Sequence, residues 1–293
     1  MSEHITHVAL CDDGRRLAAV TPEIPAALNE AWAANPEMGR AGGITRFADR
    51  FSAEIIAKSR DEAATDEDAG AKLAFVLGAL THRAADRLMK PVFAYFRQQD
   101  DYDGVNRATM HCDVFMLKHV IKVFPASMFA GDETPEQARL DEVVWASLGR
   151  ALVNLHTIIP DVDDIDGWLS RLKGVTQEQR MRMDVYREMF NADDPAAHER
   201  YIVQTHFYDA DDPIVQVAAT LREGGSVSGA DLDAAVAATT QDSSRYARAL
   251  AQANGYLRAA GALYEGRATI EETKPKLDIG VPELSVPFEP KGG

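Results

Sequence analysis

The chain has 293 residues, 46% of them hydrophobic and 26% charged, and a formal net charge of −15. That length and composition describe a folded chain with a sizeable core, not a disordered one. The acidic balance excludes the basic footprint of a duplex nucleic-acid binder and the polybasic patch of a protein held to anionic membrane, but it leaves small anionic substrates open where a metal supplies local positive charge.

The N-terminal segment through Arg16 has neither a basic flank nor a long apolar run, so no secretory signal is expected. Phe47, Phe51 and Ile55 recur at i, i+4 and i+8 and predict one face of a helix. Thr65 with Asp68 resembles a capping box opening the next helix, predicted over 69–89. Its middle, 73–80, is apolar all round, which predicts a central helix packed on every side. This is the longest strongly apolar stretch, far short of the roughly 20 residues that span a bilayer. Lys90-Pro91 is predicted to end or kink that helix.

A further helix is predicted over 108–123. Thr134-Pro135-Glu136-Gln137 gives the clearest start signal, with Thr as cap, Pro in the first helical position and Gln three residues after the cap. The helix it opens is predicted to reach about His156. Helices over 175–190 and 196–208 follow, then a short alanine-rich one over 230–239. The last long helix, 244–265, carries Tyr246, Leu250, Ala253, Leu257, Ala260 and Tyr264 as a stripe and ends at Gly266. Pro275, Pro282, Pro287 and Pro290 predict an extended tail. With no convincing period-two alternation and no internal repeat, the fold class is all-α. One helical domain, 1–273, is expected, with an extended tail over 274–293. Cys11 and Cys112 allow at most one disulfide, and free or buried thiols in a reducing, cytoplasmic setting are the expectation.

The chemistry concentrates on the central helix. His82 and Asp86 are four residues apart, about 40° apart on one helical face. An imidazole and a carboxylate so placed form a two-ligand clip for zinc or a similar cation, and equally a hydrogen-bonded pair without metal. They follow directly on a segment predicted to be buried, where ionisable groups are costly unless paired or metal-bound. His7 precedes an apolar run that suggests entry into the core. His111 and His119, eight residues apart, sit about 80° apart on the helical wheel, and Asp113 about 200° from His111. Other metal and phosphate motifs fail. The acidic loop 161–167 resembles a calcium loop, but aligning Gly167 to the turn glycine puts Val162 at the first ligand position and Lys173 at the closing one. Gly39-Arg-Ala-Gly-Gly43 lacks the spacing and the lysine of a phosphate loop.

An early His7, the run Gly78-Ala-Leu-Thr-His82-Arg-Ala-Ala-Asp86 and a proline shortly after resemble the zinc-dependent phospholipase C family, whose helical fold is shared with single-strand-specific zinc nucleases. The resemblance covers roughly residues 4–120 and is strongest between Phe75 and Pro91. It implies a multi-helix bundle that holds zinc between helices with His and Asp ligands. His82 and Asp86 match the paired ligands of the central helix, His7 the early ligand, and His111 or Asp113 the ligands on the next helix. Where the family often has a histidine before the proline, this chain has Lys90, an ammonium that cannot ligate when charged. Lys90 is therefore expected to contact a substrate phosphate instead. The family's early Pro-Asp signature is not visible, with Asp49 a poor substitute. The implied function is a zinc- or other divalent-cation-dependent phosphoester hydrolase acting on a small phosphoester or a phospholipid head group. The alternative is a non-catalytic helical protein with a structural or degenerate site.

Overall fold

The computed structural model describes residues 4–45, 48–62, 69–99, 107–121, 188–280 and 288. The helix predicted over 134–156, most of that over 175–190, the Thr65–Asp68 cap, Phe47 and the acidic loop 161–167 lie outside the described residues. Most of the described residues are helical and none is in a strand.

Helix α1 (His4–Ala19) buries His7, Leu10, Cys11, Leu17 and Ala18, the i, i+3, i+4 stripe of a helix lying on a core. Helix α2 (Ala26–Ala34) buries Leu28 and Trp32. Helix α3 (Pro36–Ile44) starts on a proline, whose fixed φ suits the first turn. A 3-10 turn (Ala48–Phe51) precedes α4 (Ser52–Glu62), so the helix read across Phe51 and Ile55 starts later than predicted. The tighter turn shifts the register: Ile55 is buried while Phe51 is half-buried.

Helix α5 (Ala69–Arg97) is the axis, with α1, α2, α3, α4 and the later helix Arg245–Tyr264 around it. Every residue of 73–82 is buried, as the all-round apolar pattern predicts. Of the end or kink predicted at Lys90-Pro91, the structure overturns the end, because α5 continues through Pro91 to Arg97. Proline inside a helix costs about 3 kcal/mol. Beyond it Val92, Phe93 and Phe96 are buried, each stabilising by about 2 kcal/mol. Burial outweighs the local penalty.

Helix α6 (Arg107–Phe115) runs into a π-helical turn (Met116–Ile121), so a wheel of uniform pitch does not relate His111 to His119. The predicted helix 196–208 is shorter and broken: α7 (Pro195–His198), capped by Asp194, passes into a second π-turn (Glu199–Val203). Helix α8 (Pro213–Arg222) was not among the predicted elements, although Asp212-Pro213 ahead of Ile214, Val215 and Ala218 is its start signal. Helix α9 (Gly229–Ala238) opens with a Ser228–Asp231 capping box. Helix α10 (Arg245–Tyr264) is capped by Ser244 and buries Tyr246, Leu250, Ala253, Leu257 and Ala260 of the predicted stripe. It ends at Gly266 (φ 72°) with Gly266 N–H bonded to Leu263 and Arg267 N–H to Ala262, a Schellman closure.

The predicted start of the tail at position 274 is also corrected. Helix α11 (Ile270–Lys276) crosses it with Pro275 inside, and Leu277 beyond it is buried. The Thr269–Glu272 capping box nucleates this short helix, and Pro275 sits on its exposed side. Phe288 packs edge-on against Tyr95 of α5. No helix among the described residues is long and apolar enough to cross a membrane.

Candidate metal centre

Two helices bring the site together. On α1 the first turn is held by a carboxylate from α6: Asp113 accepts from Thr6 N–H at 2.8 Å, from Thr6 Oγ1–H at 2.6 Å and from Ile5 N–H at 3.3 Å. These amides lack intrahelical partners, and a carboxylate there is further favoured by the helix dipole. His7 follows directly and is buried. On α5, His82 and Asp86 project from adjacent turns.

The His7 and His82 rings stack with centroids 4.3 Å apart and planes 20° apart. His82 Nδ1–H donates to the Gly43 carbonyl of α3 at 2.9 Å, which leaves Nε2 facing Asp86 Oδ2 at 3.2 Å. His7 Nε2 lies 3.6 Å from Asp86 Oδ1. One ligand atom from each of the three residues lies within 4.8 Å of the others. Lys90 Nζ approaches the same Asp86 Oδ2 at 2.8 Å.

Burial drives the His82 imidazole towards its neutral form, but the adjacent Asp86 charge and hydrogen bond override it and hold its pKa above the ordinary value. Burial likewise drives Asp86 towards the acid, but His82, His7 and Lys90 hold its carboxyl well below the usual range. Asp86 is therefore an anion facing two imidazoles and one ammonium.

Of the residues singled out in the sequence, the structure brings His7, His82, Asp86 and Lys90 together. His111 and Asp113 do not join them. Asp113 is engaged in capping α1, so it positions His7 rather than facing the cluster. His111 stacks on Tyr201 at 5.1 Å, and burial lowers its pKa, with Asp194 opposing. Cys11 and Cys112 are buried and free, and burial, reinforced by Asp12, pushes the Cys11 thiol up to about 12. Such thiols are poor ligands and nucleophiles at neutral pH.

Sequence reasoning missed the Gly43 carbonyl and the Asp113 cap. The paired Gly42-Gly43 was the available signal for the first, since adjacent glycines permit a close helix approach. Nothing local in the sequence links Asp113 to Thr6, more than a hundred residues away.

No family model, curated protein or solved structure matches this chain.

Proposed function

We propose that this chain binds one divalent transition-metal ion, zinc foremost, through His7, His82 and Asp86, and hydrolyses a phosphoester, phospholipid head groups included. The observation that carries the reading is the convergence of two imidazole nitrogens and a carboxylate oxygen from two helices. Zinc–ligand lengths of about 2.0–2.2 Å imply tetrahedral edges of about 3.3–3.5 Å. His82 Nε2 stands 3.2 Å from Asp86 Oδ2 and His7 Nε2 3.6 Å from the other oxygen, Oδ1, so each imidazole is near that spacing from one carboxylate oxygen. The His82 Nδ1–H bond to a backbone carbonyl is the support that orients an imidazole for ligation through Nε2. Two imidazoles and one carboxylate leave an open coordination position, the pattern of a catalytic rather than a structural site. One ring has to tilt out of the stack, because lone pairs lying in nearly parallel planes do not meet at a point.

When bound, the ion supplies Lewis acidity to a phosphoryl oxygen and acidifies its water. The protein's own part is to hold and orient. Asp113 and Gly43 fix the two histidines. Asp86 offers the negative charge, and the oxygen that faces His82 also holds Lys90, one turn on, at 2.8 Å. Lys90, an exposed-edge ammonium, meets a non-bridging phosphate oxygen and offsets its charge.

A second reading has one observation in its favour. Lys90 Nζ already neutralises Asp86, so the same four residues form a metal-free structural cluster. Elemental analysis of protein purified without a metal-affinity tag, paired with Asp86→Asn, separates the two. The hydrolase reading expects about one equivalent of metal, hydrolysis of a chromogenic phosphodiester, and loss of both in the mutant. It also expects a chelator-sensitive melting temperature, since a ligand at a hundredfold excess over its dissociation constant stabilises by about 2.7 kcal/mol. Metal-free, inactive protein whose melting ignores zinc, manganese and chelator leaves only the structural cluster.

A further inference from the structure

Arg83 and Arg87 lie on α5 beside the candidate metal centre, within about 140° of helix surface that also carries His82, Asp86 and Lys90. Both guanidinium groups hold the turn that follows α11. Arg83 pairs through Nη1 with Asp49 Oδ2 and donates through Nη2 to the Asp278 carbonyl oxygen. Arg87 Nη2 donates to the same carbonyl at 3.3 Å, and its Nε lies 3.6 Å from Asp278 Oδ2. Tyr256 donates its hydroxyl to that carboxylate oxygen at 2.6 Å. The Asp278 carbonyl oxygen thus bridges the two guanidinium groups while its carboxylate stands beside Arg87, a paired-fork arrangement that also suits a phosphate group.

Three features set this contact apart from an ordinary surface ion pair. The side chains of Arg83 and Arg87 are only 16% and 9% exposed, covered by the turn itself. Arg83 Nε is a buried donor with no acceptor among the described residues, so the arginine pair has donor capacity that Asp278 does not use. Asp278 adopts a left-handed backbone (φ 55°), and Gly280 two residues on does so too (φ 80°). The turn is therefore held in a conformation that costs a non-glycine residue energy.

We infer that Arg83 and Arg87 form a phosphate-binding site beside the metal centre, occupied in this structure by the chain's own Asp278, which a phosphate ligand displaces. The inference rests on the phosphoester reading for the identity of the ligand. The arginine pair and its self-ligand stand without it.

The test is calorimetric titration of the full chain, in chelator, with inorganic phosphate and separately with glycerophosphocholine. Asp278→Asn keeps the shape and tolerates the left-handed backbone but removes the competing charge. It should bind one or both ligands about tenfold more tightly than wild type, the worth of one charge-assisted contact. The ligand that gains more identifies free phosphate or an esterified head group as the source. Adding Arg87→Gln should abolish the gain. Should Asp278→Asn fail to fold, Tyr256→Phe loosens the same carboxylate and should shift affinity in the same direction. Equal affinity in wild type and both variants, a gain that survives Arg87→Gln, or no saturable binding in any variant overturns the inference. Metal binding is measured on chelator-free portions of the same preparations. Lost phosphate binding with intact metal binding defeats only this inference, and the converse defeats only the metal reading.

Discussion

At the scale of single residues, buried charge is tolerated here only as part of a group. Isolated, His82 would lose its proton and Asp86 would gain one, and each reverses the other's preference. Because the folded His82 pKa is raised, the pair stabilises the metal-free protein fully below the unfolded value of about 6.5. That contribution is lost as pH rises through the folded value. Chelator-treated protein should therefore melt at progressively lower temperature as pH climbs from about 6.5. His82→Gln should flatten the slope, and an unchanged slope in the mutant would contradict the pairing. His111, whose pKa is lowered, contributes with the opposite sign and serves as the internal contrast in an imidazole NMR titration.

At the scale of elements, the site depends on how closely α3 and α5 cross. A Cβ on Gly42 would run into the Phe75 carbonyl, and one on Gly78 into the Gly39 carbonyl. The glycines bring the two backbones into contact and so bring the Gly43 carbonyl to His82. Gly78→Ala should cost about 3 kcal/mol in urea denaturation, since overpacking against backbone cannot be relieved by a rotamer change. Gly255→Ala on the exposed side of α10, where a Cβ meets nothing within 4 Å, should instead stabilise by about 1 kcal/mol. Equal effects at the two positions would remove the argument for a tight crossing. The passage of α5 through Pro91 has a similar tertiary support. The Leu88 carbonyl, three residues before the proline, accepts from Arg245 Nη1 at 2.9 Å. Arg245 bonds the Thr205 carbonyl as well, and burial draws its pKa down to about 10.

At the scale of the molecule, the first helix is tied to the last third of the chain through one buried carboxylate. Asp13 accepts from Arg222 Nη2 at 2.6 Å, from the Tyr246 hydroxyl at 2.8 Å and from Arg16 at 3.1 Å. Burial, with Asp13 beside it, holds the Tyr246 hydroxyl well above its ordinary pKa, so the phenol remains a donor. Asp13→Ala leaves the mostly buried Arg222 without its counter-charge and should cost about 3–5 kcal/mol. Arg222→Met with Asp13→Leu should recover much of that loss in a denaturation cycle, because a buried pair replaced by apolar groups is often neutral. No recovery would mean that the network does more than join helices.

Legible in the sequence alone are the helical class, the central position of α5, the closure of α10 at Gly266, and the placing of His82 and Asp86 on one helical face. Each rests on periodicity or on spacing within one element, where the chain's own geometry relates the residues. Only the tertiary structure decided that His7 stacks on His82 while Asp113 caps α1, that α5 survives Pro91, and that Lys90 meets Asp86 beside the arginines that hold Asp278. Most of these depend on residues far apart in the chain. Their distances are set by which apolar faces pack together, and local propensity carries no information about that choice. Lys90 is the exception: its reach to Asp86 required only that the helix continue past the proline, and burial of Val92, Phe93 and Phe96 decided that.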